Sequence, residues 1–311
     1  MADWDDLRVF LAVARAESLS GAGRSLRLDA ATVGRRVARL EEALASKLFA
    51  KSPQGYALTE AGARLLPHAE QAEQAMTGAR EAVSGTAGQL SGQLRIGAPD
   101  GCANYLLPQV CAALCDAHPG LEIQIVALPR VFNLSKREAD MAVAVSPPAT
   151  GRLMVQKLTE YHLHLAASAD YLARHPPISG LADLKGHRMI GYIADMIFDK
   201  ELDYLAETGV ETVGLASNSV SVQMQAVRAG GGLGIVHDFA LPIVPGLVRV
   251  LPEQLSLTRA FWLIRHADDR RSERLTRLGD ALAQGIRREV ARLEALAAQP
   301  IVVLDSPPPP A

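Results

Sequence analysis

Residues 31–44 read ATVGRRVARLEEAL. Val33, Val37, Leu40 and Leu44 step by four, three and four, so they share one stripe of a helix. Arg35 and Arg39 project from roughly the opposite face, and Arg36 sits on the flank. Three arginines on the wet side of one short helix stand out in a chain whose formal net charge is −2. That balance argues against a uniformly basic nucleic-acid binder and leaves room for a local basic patch.

Upstream, residues 3–16 carry a helical stripe of Leu7, Phe10, Leu11 and Ala14. Ser18 and Ser20 are N-cap candidates for a short second helix ending near Leu26. Ala22 and Gly23 are small enough for close backbone approach. Asp29 is placed to cap the arginine helix, where its carboxylate meets free N–H groups. Two short helices, a tight connection and a third helix with a basic outer face make the helix-turn-helix pattern. Downstream, FAKSPQGYALT predicts a hairpin, or wing: Pro53 to Gly55 are turn residues, and Tyr56 and Leu58 suit a strand. Lys47 and Lys51 extend the positive side. Glu42 lies at helical spacing from Arg39 and is expected to tether it.

From Thr59 to about Val83 the pattern is one long helix. Leu65, Ala69, Ala72, Met76, Ala79 and Val83 form an alanine-rich coiled-coil seam that predicts self-association. Pro67 lies inside it. GTAGQLSGQ, residues 85–93, is a polar hinge. Beyond it the texture changes. LRIGA, LEIQIVAL, DMAVAV, HLHLAAS, VGLAS, LGIVHDF, LVRVL and AFWLI are short apolar strands with helix-length segments between them, an α/β pattern. Residues 272–296 read as a terminal amphipathic helix. The tail, DSPPPPA, is expected to be disordered.

At 311 residues the chain has room for two domains. MADWDDLRVF lacks the basic and apolar regions of a signal peptide, and no apolar run is long enough for a membrane helix. A cytoplasmic location and no membrane partner are expected. Cys102, Cys111 and Cys115 fall in one short region without zinc-finger spacing. Cys111 and Cys115 on an apolar helix read as packing. His162 and His164 share one side of a strand with no third ligand or carboxylate in view, so no metal is expected. GGGLG, residues 230–234, follows a helix and precedes a strand, the reverse of the dinucleotide-loop order, and reads as a helix C-terminal turn. No nucleophile elbow or phosphate loop is present, so neither an enzyme nor a cofactor is expected.

The order of these parts resembles the LysR-type transcriptional regulators. The most specific block is SLSGAGRSLRLDAATVGRRVARLEEALASKLFAKSPQGYALTEAG, with RLEEAL, KLF and LTEAG in that order. LRIGAPDG, LLPQV, HPGLEI, ADMAVAV, AASADYLARH and QAVRAGGGLGIV resemble the family's sensing domain. The resemblance implies an α+β multidomain chain. A winged helix-turn-helix over 1–58 is followed by a linker and dimerisation helix over 59–88. An effector-binding domain over 89–298 then has the two-lobed type 2 periplasmic-binding-protein fold. Its lobes are about 93–160 plus 266–298, and 161–265; the tail is 299–311. The partners implied are double-stranded promoter DNA with an inverted repeat, a small-molecule effector, and a second copy in a dimer or tetramer.

On that reading Thr32, Arg35 and Arg36, in the N-terminal half of the third helix, meet base edges. Arg39, Lys47 and Lys51 hold phosphates, as do Ser18 and Ser20. In the sensing domain the first strand ends at Ala98, which places Pro99, Asp100, Gly101 and Cys102 at the cleft. The family commonly has a serine or threonine near Asp100, whose hydroxyl binds an effector carboxylate. A carboxylate there caps its own helix and repels an anion. The effector is then neutral or cationic, or a carboxylate held elsewhere by Arg130. Ser217, Asn218 and Ser219 begin a helix after a strand, either gripping ligand or simply capping. Phe132, Ser146 and His237 lie at other strand ends. The competing reading is a solute-binding protein of the same two-lobed fold without regulatory DNA binding.

Overall fold

The computed structural model describes residues 3–52, 55–83, 90–127, 139–267, 269 and 272–298. Pro53 and Gln54 at the wing tip, hinge residues 84–89, Arg130, Phe132 and the tail 299–311 lie outside the described residues. The chain divides into two compact units, Met1–Gly88 and Gln89–Ala311.

The first unit runs α1 (Trp4–Ala16), α2 (Leu19–Leu26), α3 (Ala30–Ala43), β1 (Phe49–Ser52), β2 (Gly55–Leu58) and α4 (Glu60–Val83). Val33, Val37 and Leu40 of α3 are buried against Val9, Phe10 and Leu11 of α1, with Leu48 and Phe49 closing the core. Each such side chain contributes about 1.5–3 kcal/mol by leaving water. The fourth residue of the expected stripe, Leu44, is the α3 C-cap and is exposed, because the helix has ended before it can turn inward. The α2–α3 turn closes through Arg27 in the left-handed region and a Leu28 N–H bond to the Gly23 carbonyl, 2.9 Å. A Cβ on Gly23 would lie 2.6 Å from the Leu28 carbonyl oxygen. The small residue there serves the turn itself.

β1 and β2 pair antiparallel, Phe49 opposite Leu58 and Ser52 opposite Gly55. The hairpin is anchored at both ends: Tyr56 N–H, near the turn, donates to the Glu17 carbonyl, 2.8 Å, and Thr59 N–H, at the root, to that of Leu48, 3.0 Å. α4 continues through Pro67. Its expected seam divides in this unit. Ala69 is buried and Leu65 packs on the unit's own core, whereas Met76 is exposed. Arg15 of α1 pairs with Glu73 of α4 through two bonds, 3.2 and 2.5 Å.

The second unit contains β3 (Gly92–Ala98), α5 (Asp100–Tyr105), α6 (Leu107–Ala117), β4 (Leu121–Ala127), β5 (Met141–Ala144), β6 (Leu153–Ser168) and α7 (Ala169–Arg174). It continues with β7 (Met189–Gly191), β8 (Leu215–Ala216), α8 (Val220–Arg228), β9 (Leu233–His237), β10 (Leu247–Arg249), β11 (Ser256–His266) and α9 (Glu273–Ala297). Among the described residues one mixed sheet has the order β4-β3-β5-β11-β6-β9-β7-β8, with β10 paired to β6. β4-β3-β5 and β9-β7-β8 are parallel groups. The long antiparallel pair β6 and β11 joins them, with an irregularity at Phe261/Trp262. Two parallel groups on a shared pair of long strands make a two-lobed α/β domain, and their strand ends face the junction.

One stretch departs from the expected strand–helix alternation. Between β7 and β8 the described chain forms only short 3-10 turns, at Ala194–Met196 and Lys200–Leu202. Polar and turn-forming residues in TGVETVG break any sustained helical stripe there.

Candidate nucleic-acid interface and ligand cleft

α3 begins with a relay of three side chains. Asp29 Oδ1 accepts from Thr32 N–H at 2.8 Å, and Oδ2 accepts from the Thr32 hydroxyl at 2.7 Å. Thr32 Oγ1 in turn accepts from Arg35 Nη2 at 2.9 Å. The Thr32 hydroxyl and N–H hold the Asp29 carboxyl below its usual range. Arg35 is exposed, yet its guanidinium is steadied by its own helix.

The other two arginines face α1. Arg36 Nη1 donates to Asp5 Oδ2 at 3.0 Å. Arg39 donates through both Nε and Nη2 to Asp6, the former at 2.6 Å, and Asp6 is buried. The expected tether from Glu42 is replaced by this clamp, because the compact head brings α1's acidic first turn across the α3 face. Glu41, not Glu42, is the structural glutamate. It accepts from Lys47 Nζ at 2.6 Å and from Leu48 and Phe49 N–H at 2.8 and 3.3 Å. Burial raises its carboxyl, but Lys47 and the two N–H groups outweigh that and leave it lowered. Ser18 is the α2 N-cap, accepting from Gly21 N–H at 3.0 Å, while Ser20 is exposed on the first turn. Lys51 lies over the Tyr56 ring, 5.7 Å from its centroid.

In the second unit Pro99 is the α5 N-cap and has no side-chain cap bond. Asp100 does not cap its own helix as expected. Its Oδ2 accepts from the Ser219 hydroxyl at 3.0 Å and from Ser221 N–H at 2.9 Å, on the first turn of α8. Ser219 is also the α8 N-cap, accepting from Val222 N–H at 3.3 Å, and Ser217 Oγ accepts from Ser219 N–H at 3.1 Å. Asn218 is half-buried between them. Ser146, beyond β5, donates to Asp199. The strand ends on opposite sides of the junction are thus joined through two carboxylates.

Gly101 faces His237, and an added Cβ would lie 3.1 Å from the imidazole Cε1. His237 stacks on Tyr161, centroids 5.4 Å apart. It is buried, and burial lowers its pKa to about 3, so the ring stays neutral at physiological pH. Its Nδ1 has no hydrogen-bond partner among the described residues. Cys102 and Cys111 are buried thiols pushed upward by desolvation, Cys111 to about 12. Arg130 and Phe132 lie outside the described residues.

Contrary to expectation, His162 and His164 both meet carboxylates: His162 Nδ1 lies 2.9 Å from Glu294, and His164 Nδ1 lies 2.9 Å from Asp238. Asp238 also pairs with Arg249 at 3.0 Å. The partners are distant in sequence, so spacing along the strand gave no sign of them. No group of three metal-ligating residues occurs among the described residues.

A cavity of about 750 Å³ lies among β7, the 3-10 turns that follow it and α8. Tyr192, Phe198, Tyr204 and Gln223 line it, with Asp199, Asp203, Glu211 and a single lysine, Lys200. None of the described cleft residues expected from sequence lines this cavity. The only signal in the sequence was the Gly191-Tyr192 strand end, which periodicity does not distinguish from any other.

Residues 4–63 match the family model of the bacterial regulatory helix-turn-helix protein, lysR family, and residues 87–287 match the LysR substrate binding domain. Among curated proteins, the chain is 28% identical to a probable hydrogen peroxide-inducible genes activator of Mycobacterium avium, over 76% of this chain and 78% of that protein. It is also 28% identical to the HTH-type transcriptional regulator PtxR of Pseudomonas aeruginosa, over 79% and 81%. Full-length OxyR C199D from Pseudomonas aeruginosa shares the fold, with a TM-score of 0.65 at 20% identity, over 92% of this chain and 98% of that one.

Proposed function

We propose, from the premise that this chain belongs to the LysR family of DNA-binding transcriptional regulators, that its base reading centres on Arg35 and its effector cleft on the Asp100–Ser219 junction. The family binds DNA through the helix-turn-helix, binds small-molecule effectors in the substrate domain and forms oligomers. The observation that carries the finer assignment is the Asp29–Thr32–Arg35 relay. It leaves Arg35 exposed near the helix start, where a recognition helix meets base edges. Arginine suits guanine N7 and O6. Arg36 and Arg39 are engaged with Asp5 and Asp6 and act first as supports for the pose of α3. Lys47, Lys51, Ser18 and Ser20 complete the positioning set, which fixes register on phosphates.

A protein with this role works where bacterial DNA lies, in the cytoplasm, and carries out no catalysis. Peroxide sensing, suggested by the name of the Mycobacterium relative, is not favoured at Cys102 or Cys111. A peroxide-reactive cysteine needs an accessible thiolate, and burial here keeps both as thiols.

The test is a gel shift with the intact protein on its own promoter region and on a scrambled duplex of equal length. A regulator retards the promoter at concentrations that leave the scrambled duplex free. Equal behaviour toward both, or none, would favour the solute-binding reading.

A further inference from the structure

The first turn of α8 is the kind of place that holds a soluble anion: free N–H groups, a serine hydroxyl and the positive end of the helix dipole converge there. Here the chain's own carboxylate is already in it. Asp100 Oδ2 takes both the Ser219 hydroxyl and the Ser221 N–H. An effector carboxylate would have to displace Asp100 and then sit beside a second negative charge, which is unfavourable twice over. Next to this junction lies the cavity lined by Tyr192, Phe198 and Tyr204; Gln223 of α8 also lines it and donates from Nε2 to the Ser217 carbonyl at 2.7 Å. Its charged lining is three carboxylates, Asp199, Asp203 and Glu211, against Lys200. Aromatic walls under a negative field suit a cation, through both the ring faces and the carboxylates.

We infer that Asp100 sets the charge class of the effector: it excludes carboxylates from the α8 terminus, and the adjoining cavity takes a small organic cation, an ammonium or guanidinium on an apolar body. The ammonium lies toward Asp199, Asp203 and Glu211, and the apolar body against Tyr192, Phe198 and Tyr204. Asp199 is held by Ser146 from the other strand group, so a cation drawn to Asp199 touches the junction between the lobes. This deepens the effector reading proposed above and rests on it.

The probes are benzylamine and benzoate, matched in shape and opposite in charge, titrated calorimetrically into the full-length protein. The wild type binds benzylamine and not benzoate. Asp100→Asn removes a negative charge beside the cavity without changing its lining, so it weakens benzylamine severalfold, and with that repulsion gone benzoate competes for the hydroxyl and N–H groups at the α8 terminus. Asp203→Asn, at an exposed position that does not threaten folding, weakens benzylamine severalfold and leaves benzoate unbound. If Asp100→Asn does not fold, the wild-type probe pair and Asp203→Asn decide. Benzoate binding to the wild type as tightly as benzylamine, no binding of either probe, or an unchanged preference in Asp100→Asn and Asp203→Asn overturns the proposal. A promoter gel shift on the same preparation separates this outcome from failure of the regulator reading, which predicts DNA binding whatever the probes do.

Discussion

Arg39 and Arg35 occupy one helix four residues apart and have opposite commitments. Arg39 spends Nε and Nη2 on the buried Asp6, so its loss strands a carboxylate away from water. Arg39→Ala is expected to lower the urea midpoint of the N-terminal unit, because it leaves the buried Asp6 carboxylate without its guanidinium. Arg35→Ala is expected to stay within about 0.5 kcal/mol. Urea melts of the two variants check this, and equal losses would refute the division of labour. Gly34 is a second case. A methyl there would meet only the flexible Leu19 Cδ1, at 3.4 Å. Gly34→Ala should therefore raise stability by up to about 1 kcal/mol through helix propensity. His237 supplies the pH dependence. Its folded pKa of about 3 is below the ordinary 6.5. The unfolded chain therefore takes up a proton first as pH falls, and stability drops from pH 6.5 toward 3. The slope attributable to this one group is at most about 1.4 kcal/mol per pH unit. His237→Phe should remove that part of the slope in pH-dependent melts. A slope left intact would show that other groups carry it.

At the scale of elements, close approach of backbones is what holds the wing to its helix. A Cβ on Gly62, in the first turn of α4, would lie 2.2 Å from the Leu48 carbonyl oxygen. Gly62→Ala should cost about 1–3 kcal/mol in a denaturant melt, since backbone has to move. An unchanged midpoint would mean that the wing root yields freely. Local chemistry of this kind was partly legible in the sequence. The Val33, Val37 and Leu40 stripe of α3, the Asp29 cap and the Ser18 cap all follow from periodicity and capping rules applied over a few residues, whereas Gly55, expected in the turn, begins β2. What spacing could not supply was every pairing across the fold. Arg39 meets Asp6 at a separation of 33 residues, and Asp100 meets Ser219 at 119. Asp100 was legible as a carboxylate at a strand end, but not as a partner of another helix's first turn. The 3-10 turns after β7 were illegible for a related reason. They are tied by residues distant in sequence, as where Ser146 donates to Asp199 and Arg259 of β11 donates to the Glu201 carbonyl at 3.1 Å, not by a repeat of their own.

At the scale of the whole molecule, one α3 helix reads too few base pairs to single out a promoter. A self-associating regulator presents recognition helices in pairs, about 34 Å apart on successive turns of DNA, to an inverted repeat. The exposed Ala75, Met76 and Ala79 of α4 are the expected place for that pairing, and an effector that changes the junction at Asp100 is expected to alter the footprint. All of this depends on Arg35 reading bases while Arg36 and Arg39 hold the helix in position. The direct measurement is the affinity of wild type and Arg35→Ala for the operator and for a random duplex, at several salt concentrations. The operator-over-random preference of Arg35→Ala is expected to fall by about 1–3 kcal/mol, with the random-duplex affinity and its salt slope nearly unchanged. An equal loss on both duplexes, with the salt slope reduced by about one, would make Arg35 a phosphate contact and contradict the account.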